Sequence, residues 1–447
     1  MSTKSIYIIG GLLRLTLLMI PQVITTLTSL VGVSTPMNSY KSLQEAFYYL
    51  EHGINLYDGG VVHHTPILVV VMSFFNDWFP LPMSVLYVGV DLWICSRLVA
   101  INRWYNEHQT KRLGRKVIGA SDSVIVGFYM LNPLLVLTTL SQSTLVFGML
   151  FVVESISQIV LEHNLYRGMM SLALASYLTL SPLYLLVPVL TLAHAILKMS
   201  WQEVYVVGSG IFVGSLMLLI MASFAMTSSF QFVYACYGTA LMFDKITPNL
   251  GLWWYLFTEM FEYFTPFYKG LFNIYGGIFI IPITMRFWEV STESTQSEVI
   301  ETDDKSEVVN KSNKSVEEKS PKSSLVAIGD SFLAVVLSYF WLSFTKSYPS
   351  YGDLAFGLSF LPIFSSTILP YCRYSIITAL ILLGSLLLGP IFYYSWIVLG
   401  SGNSNFFYSI TLFYGGVHIA IIMDLIWAKL SYDYQGKNRG NSSLTQI

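Results

Sequence analysis

Glu259 and Glu262 interrupt an otherwise aromatic stretch, Thr247 to Phe264. Three residues apart on a helix they share a face, and paired carboxylates can shuttle a proton or hold a divalent cation. The alternative is an aromatic interface anchor with two solvated acids. His63 and His64 are adjacent, so they point in different directions on helix or strand and lack the i, i+4 spacing of a metal pair; single hydrogen bonds to backbone or ligand are expected of them. Asn403 and Asn405 flank a small residue at the mouth of a helix that opens Phe406-Phe407-Tyr408. Two amides below an aromatic rim could hold sugar hydroxyls, or could cap that helix. Cys95, Cys236 and Cys372 stand far apart in or beside apolar runs without CxxC spacing, which suits buried core thiols rather than disulfides or zinc.

The elements that must position these groups are set by composition. Of 447 residues, 54% are hydrophobic, 15% aromatic and only 11% charged, against about 25% charged in soluble proteins. A water-soluble fold is excluded, and 24 basic against 26 acidic residues leave no excess to neutralise a nucleic acid. Residues 289–324 hold nine acids and five bases with almost no large apolar side chains, a composition that cannot repay the entropy of ordering. They read as a linker.

A bilayer needs roughly 20 apolar residues per helical crossing. Runs at 5–33, 81–101, 121–140, 143–161, 168–198, 204–226, 270–288, 325–344, 353–369, 375–399 and 406–428 meet or approach that length. The run at 168–198 contains Pro182 and Pro188 and accommodates two short helices, so the expectation is an all-α membrane protein with about 12 spans. Ile67 to Phe75 is too short to cross and should lie in the interface or re-enter. The first run is too long for a cleaved signal and reads as a retained span. The organisation expected is a transmembrane bundle over 1–288 with polar loops 34–66 and 227–269, the linker 289–324, a second bundle over 325–430 and a tail at 431–447.

Basic residues in short loops mark the cytosolic side. Arg97, Arg103, Lys111, Arg112, Arg115 and Lys116 cluster around one loop. Alternation from there puts Arg167, Lys198, Arg286, Arg373, Lys429, both termini and 289–324 in the cytosol. The sequons at Asn310, Asn313 and Asn441 then fall in the cytosol and should carry no glycan. Residues 34–66, 140–143, 227–269, 345–352 and 400–405 gather on the opposite, luminal side.

Within the first luminal segment an amphipathic helix is expected around Lys41 to Gly53, with Phe47, Leu50 and Ile54 on its apolar face and Tyr48 and Tyr49 at interface height. It is either an interfacial helix or a lid over a lipid-headgroup site. Thr247-Pro-Asn should start a helix. A luminal glycosyltransferase would need an acidic pair in the first luminal segment; its acids are Glu45, Glu51 and Asp58, with none between Ser34 and Lys41. Gly-x-Ser-x-Gly, His-Glu-x-x-His and phosphate-cradling GxxxxGK patterns are also absent from the sequence.

Taken together, Tyr57-Asp-Gly-Gly, His63-His-Thr-Pro66, Asn132-Pro133, Thr247-Pro-Asn-Leu-Gly-Leu-Trp-Trp-Tyr255 with Glu259-Met-Phe-Glu262, Lys346-Ser-Tyr-Pro349 with Gly352-Asp353, and Gly400-Ser-Gly-Asn-Ser-Asn-Phe-Phe-Tyr408 resemble the PIG-U family, the U subunit of the glycosylphosphatidylinositol (GPI) transamidase. The motifs recur in the family's order over nearly the whole chain, while 289–324 looks like a lineage-specific insertion. The resemblance implies a multi-pass subunit of the endoplasmic reticulum membrane, in a complex that removes a C-terminal signal from a precursor protein and joins the new carboxyl end to a GPI lipid. It implies a fold similar to the multi-pass lipid-linked (GT-C-like) glycosyltransferases. It further implies GPI contact at Asn403 and Asn405, with Phe406 and Tyr408 as neighbours. His64, Asn249, Trp254, Glu259 and Asp353 become candidates for a luminal pocket. The nucleophilic Cys is implied in a caspase-like partner subunit, which leaves this chain non-catalytic, with no cofactor or metal. Two alternatives remain: a luminal transferase using a polyprenyl-phosphate sugar, or a purely structural subunit.

Overall fold

The computed structural model describes residues 2–78, 82–113, 116–242, 247–288 and 329–437, and every regular element among them is helical. The linker 289–324, Arg115 and the three sequons lie outside the described residues.

Four helices are long and apolar enough to cross a membrane: Met83–Lys111, Trp201–Thr227, Ser375–Val398 and Ser404–Gln435. Two bent pairs raise the number to six. The expected figure of about 12 stands above this measure because several apolar runs form shorter helices. Leu145–Val160, for example, has 16 residues and at 1.5 Å per residue is about 24 Å long, less than the roughly 30 Å hydrocarbon core. Pro66–Asn76, Ser181–Leu197, Ser331–Thr345 and Tyr351–Phe364 are other short apolar helices of this kind.

Proline places the breaks. The first apolar run is not one straight span: Thr3–Leu18 and Pro21–Leu27 meet at 88°. Ile20 is extended there (φ −104°, ψ 102°), the conformation that a following proline imposes. Asp122–Met130 and Pro133–Leu140 meet at 50°, and the Asn132 side chain caps the second helix by accepting the Leu134 N–H at 3.0 Å. The run at 168–198 does divide, into Leu165–Leu178 and a second helical stretch, Ser181–Leu197.

A buried ion pair ties the first helix to its neighbours. Arg14 Nε lies 2.7 Å from Asp91 Oδ2, with both side chains almost inaccessible. Arg14 also donates to the Gly10 and Met130 carbonyls, while Tyr129 and Thr139 donate to Asp91. An uncompensated charge in this apolar setting costs several kcal/mol, so both partners are fixed by mutual need.

One hydrophobic core joins the two halves of the chain, with Leu190 and Leu333, or Tyr129 and Phe364, in the same cluster. Hydrogen bonds then link the polar loops at one end of the bundle. Thr144 N–H donates to Asn38 O, Tyr351 N–H to Gly32 O, and Trp253 Nε1 to Thr345 O; Asn55 Nδ2 donates to Gln231 Oε1 and Tyr414 Oη to Ser350 O. Segments 32–64, 141–144, 231–242, 247–255, 345–353 and 403–408 therefore share one face, the last of them through the bond from Tyr255 to Asn405. At the other end, Tyr105 donates to Asp330, and the Arg373 and Tyr374 N–H groups donate to Asp424.

Candidate amide and aromatic site

The loop before the last helix turns back on itself. Gly400 has φ +64°, a conformation open to glycine at little cost, and the Ser401 and Gly402 N–H groups both donate to Ser395 O. A Cβ on Gly402 would come within 3.0–3.1 Å of the Trp396 backbone. Glycine thus lets the mouth of the helix Ser404–Lys437 sit directly on Trp396.

At that mouth the Asn403 side-chain oxygen accepts from the Asn405 N–H at 3.0 Å and from Ser404 Oγ at 3.1 Å. This is helix capping. The Asn405 side-chain oxygen accepts from Tyr255 Oη. Both amide oxygens are thereby engaged, both residues are exposed, and among the described residues neither Nδ2 group has a hydrogen-bond partner. Capping and ligand contact are consequently compatible: the oxygen does one and the NH₂ is open for the other.

The rim is aromatic. Tyr255 stacks on Tyr408 with centroids 4.2 Å apart, and Trp254 packs against Trp396, Phe407 and Tyr408 at 5.8–5.9 Å. Trp254 is buried, yet among the described residues its Nε1 has no partner. Phe406 lies apart from this cluster, 58% exposed and next to Phe392. Its neighbour Phe407 faces Trp254 instead. Tyr255, Trp396 and Phe407 are the members that sequence inspection did not single out. Tyr255 and Phe407 stand in the runs Trp253-Trp-Tyr255 and Phe406-Phe-Tyr408, whereas Trp396 lies in neither.

The remaining pocket candidates separate into two groups. Glu259 is exposed one helical turn from Tyr255 and shares a shallow groove with it. The carboxylate pair that Glu259 could make with Glu262, one of the two readings of that stretch, does not form on a helix face. Helix Trp253–Glu259 ends there, and Met260 is extended (ψ 140°). His64, Asn249 and Asp353 are buried struts of the loops. His64 Nε2 donates to Ser39 O at 3.0 Å, and burial lowers its pKa to about 4, which keeps the ring neutral. His63 binds the Ala235 carbonyl through Nδ1 at 2.7 Å, so the two imidazoles diverge as their adjacency requires.

Asn249 closes a turn by accepting the Gly251 N–H. Thr247-Pro-Asn therefore does not start the helix, which begins at Trp253. The polar side chain competes successfully for local backbone. Asp353 caps Tyr351–Ser359 through Ser350 and holds Lys346 Nζ at 2.8 Å. The helix expected at Lys41 to Gly53 is Tyr40–Glu51, and its buried side consists of Tyr40, Leu43, Ala46 and Phe47. Leu50, within the helix, and Ile54, beyond its end, are exposed instead (40% and 45%).

Glu45, Glu51 and Asp58 are all exposed on the first loop. Cys95 and Cys236 are buried, and burial beside Asp424 pushes the Cys372 thiol up to about 12. Neither Cys236 nor Cys372 has the depressed pKa of an activated nucleophile, since burial raises both.

Comparison with known proteins places these features in a lineage. A family model described as GPI transamidase subunit PIG-U matches residues 8–414, a range that contains every candidate residue above. The chain is 36% identical to the GPI transamidase component GAB1 of Saccharomyces cerevisiae, covering 90% of this chain and 88% of that one. It is 27% identical to the GAB1 homolog of Schizosaccharomyces pombe and 26% identical to the GPI-anchor transamidase component PIGU of Homo sapiens, at the same coverage.

Proposed function

The chain belongs to the PIG-U family of GPI transamidase subunits, and we propose that it holds the glycan of the GPI lipid at Asn403 and Asn405 without supplying the nucleophile. One observation carries this reading. The two amide oxygens are spent on the helix cap and on Tyr255, which orients two exposed NH₂ donors beside a stacked tyrosine pair. Donors fixed in this way meet hydroxyl oxygens without further ordering cost. The apolar face of a pyranose ring fits against Tyr255 and Tyr408. Phe406, near the lipid-exposed helix Ser375–Tyr393, is suited to an acyl chain.

The loop face that gathers these groups is luminal in this reading, in the membrane of the endoplasmic reticulum. The termini and residues 289–324 lie in the cytosol, and the shorter apolar helices add to the membrane-embedded bundle of a GT-C-like fold. His64, Asn249 and Asp353 hold the loops in register, while Trp254 and Glu259 border the glycan. A caspase-like partner supplies the thiolate and receives the precursor's C-terminal signal. The unactivated cysteines of this chain support that division of labour.

The test is Asn403→Asp with Asn405→Asp. Aspartate retains the cap oxygen and the acceptor for Tyr255 but removes both NH₂ donors. GPI attachment to a reporter precursor should fall at least tenfold with the complex intact. Unchanged attachment would refute glycan binding here, and loss of the complex would assign these residues a structural role.

A further inference from the structure

A second cavity lies across the helix Trp253–Glu259 from the amide site. Trp253 stacks at 4.1 Å on Phe272, which lines the cavity, whereas Trp254 faces Phe407 and Tyr408. The cavity volume is about 100 Å³, which at about 10–15 Å³ per water has room for several waters or one small ring. Its walls bring together segments more than 300 residues apart in sequence, from Thr35 and Asn38 to Lys346 and Tyr348.

The polar groups of these walls are incomplete. Asn38 Oδ1 accepts the Thr35 N–H at 2.8 Å, which fixes the amide, yet among the described residues Asn38 Nδ2 and Thr35 Oγ1 have no partner although the residues are only 4% and 3% exposed. Each orphaned buried polar group costs about 1–3 kcal/mol, and such groups call for an occupant. Asn273 spends Nδ2 on the Leu241 and Lys269 carbonyls, so its oxygen is the atom it can offer to a ligand. Lys346 Nζ uses one hydrogen on Asp353 and retains two. The rest of the wall is largely apolar, including Leu145, Leu178 and Leu342.

Charge balance selects the ligand. Asp353 already neutralises Lys346, so a phosphate would bring an unbalanced charge into a poorly solvated space. Among the described residues no lining carboxylate is left over for a cation. From the orphaned donors, the fixed acceptor and the apolar walls we infer that this cavity binds a neutral polyhydroxylated ring, such as a glycosyl group, independently of Asn403 and Asn405. The ring's hydroxyls meet Asn38, Thr35, Asn273 and Lys346, and its carbon face meets the leucines.

The probe is octyl glucoside carrying a photoreactive diazirine, applied to the whole transamidase complex in lipid nanodiscs. Saturable labelling of peptides containing Thr35–Asn38 and Lys346–Tyr348 is expected. It should fall at least tenfold in Thr35→Val/Asn38→Leu, and equally in Ala240→Phe, which fills the cavity from another wall. The Thr35→Val/Asn38→Leu variant removes two unsatisfied groups but strands the Thr35 N–H that Asn38 Oδ1 accepts, so Thr35→Val alone, which keeps that bond, is the variant expected to assemble normally, and it should lower labelling as well. Competition by unlabelled octyl glucoside alone assigns a lipid-borne ring; competition by free glucose as well assigns a soluble one, and either supports the site. Asn403→Asp/Asn405→Asp should label like wild type, so failure of the amide site and failure of this one are separable. Equal labelling by an octyl phosphate probe, no saturable labelling, labelling indifferent to Ala240→Phe, or loss of labelling in the Asn403/Asn405 variant would each overturn the inference.

Discussion

Tyr255 donates its phenolic hydrogen to the side-chain oxygen of Asn405, a residue 150 positions further along the chain. The bond fixes which way the Asn405 amide faces. It also couples the helix Trp253–Glu259 to the mouth of the last helix, where the Tyr255 ring lies on Tyr408 at 17°. A loop motif and a helix cap are thus parts of one surface.

Tyr255→Phe removes that bond and leaves the stacking. The hydroxyl is worth about 0.5–1.5 kcal/mol to the fold, so the complex should assemble normally. The freed amide can rotate, and GPI attachment should fall about three- to tenfold. A reporter-attachment assay on matched amounts of complex checks this.

Arg14→Met leaves Asp91 buried without its counter-charge and should destabilise the protein by about 3–5 kcal/mol. Asp91→Asn in the same chain removes the stranded charge and keeps one acceptor oxygen, enough for either Tyr129 or Thr139. The double variant should therefore recover much of the loss. Thermal midpoints in a double-mutant cycle measure the coupling, and simple additivity would show that the pair is not a unit.

Much of the helical layout was legible, because apolar runs and proline are local signals. Pro182 marked the division of 168–198. Pro21 carried the same information about the first run, and its 88° bend was missed because run length outweighed a single residue. Arg14 stood visibly in the middle of that run, but its partner Asp91 lies 77 residues away and nothing local connects them. The amides at 403 and 405 were legible from their position at a helix mouth. Tyr255 and Trp396, which complete the surface, arrive from separate helices and required the tertiary fold. Asn249 was misread because Thr-Pro-Asn serves equally as a helix start and as a turn.

His64 has its pKa lowered from 6.5 to about 4 by burial, so between these values the unfolded chain binds a proton that the folded chain refuses. Stability therefore falls as pH drops from about 6.5 towards 4, by an order of 3 kcal/mol at the low end, and His64 contributes no slope above about 7. His64→Gln keeps a donor for Ser39 O and cannot ionise. Denaturation of wild type and variant across pH 4–7.5 should show their difference changing only below about 6.5; parallel profiles would mean that His64 titrates normally in the fold.

The central claim is that Asn403 and Asn405 hold GPI. Mass spectrometry of lipids retained by the purified complex, wild type against Asn403→Asp/Asn405→Asp, tests it most directly. GPI should copurify with the wild type and drop at least tenfold in the variant at unchanged subunit stoichiometry. Equal GPI on both complexes, or none on an intact and active wild type, would contradict it.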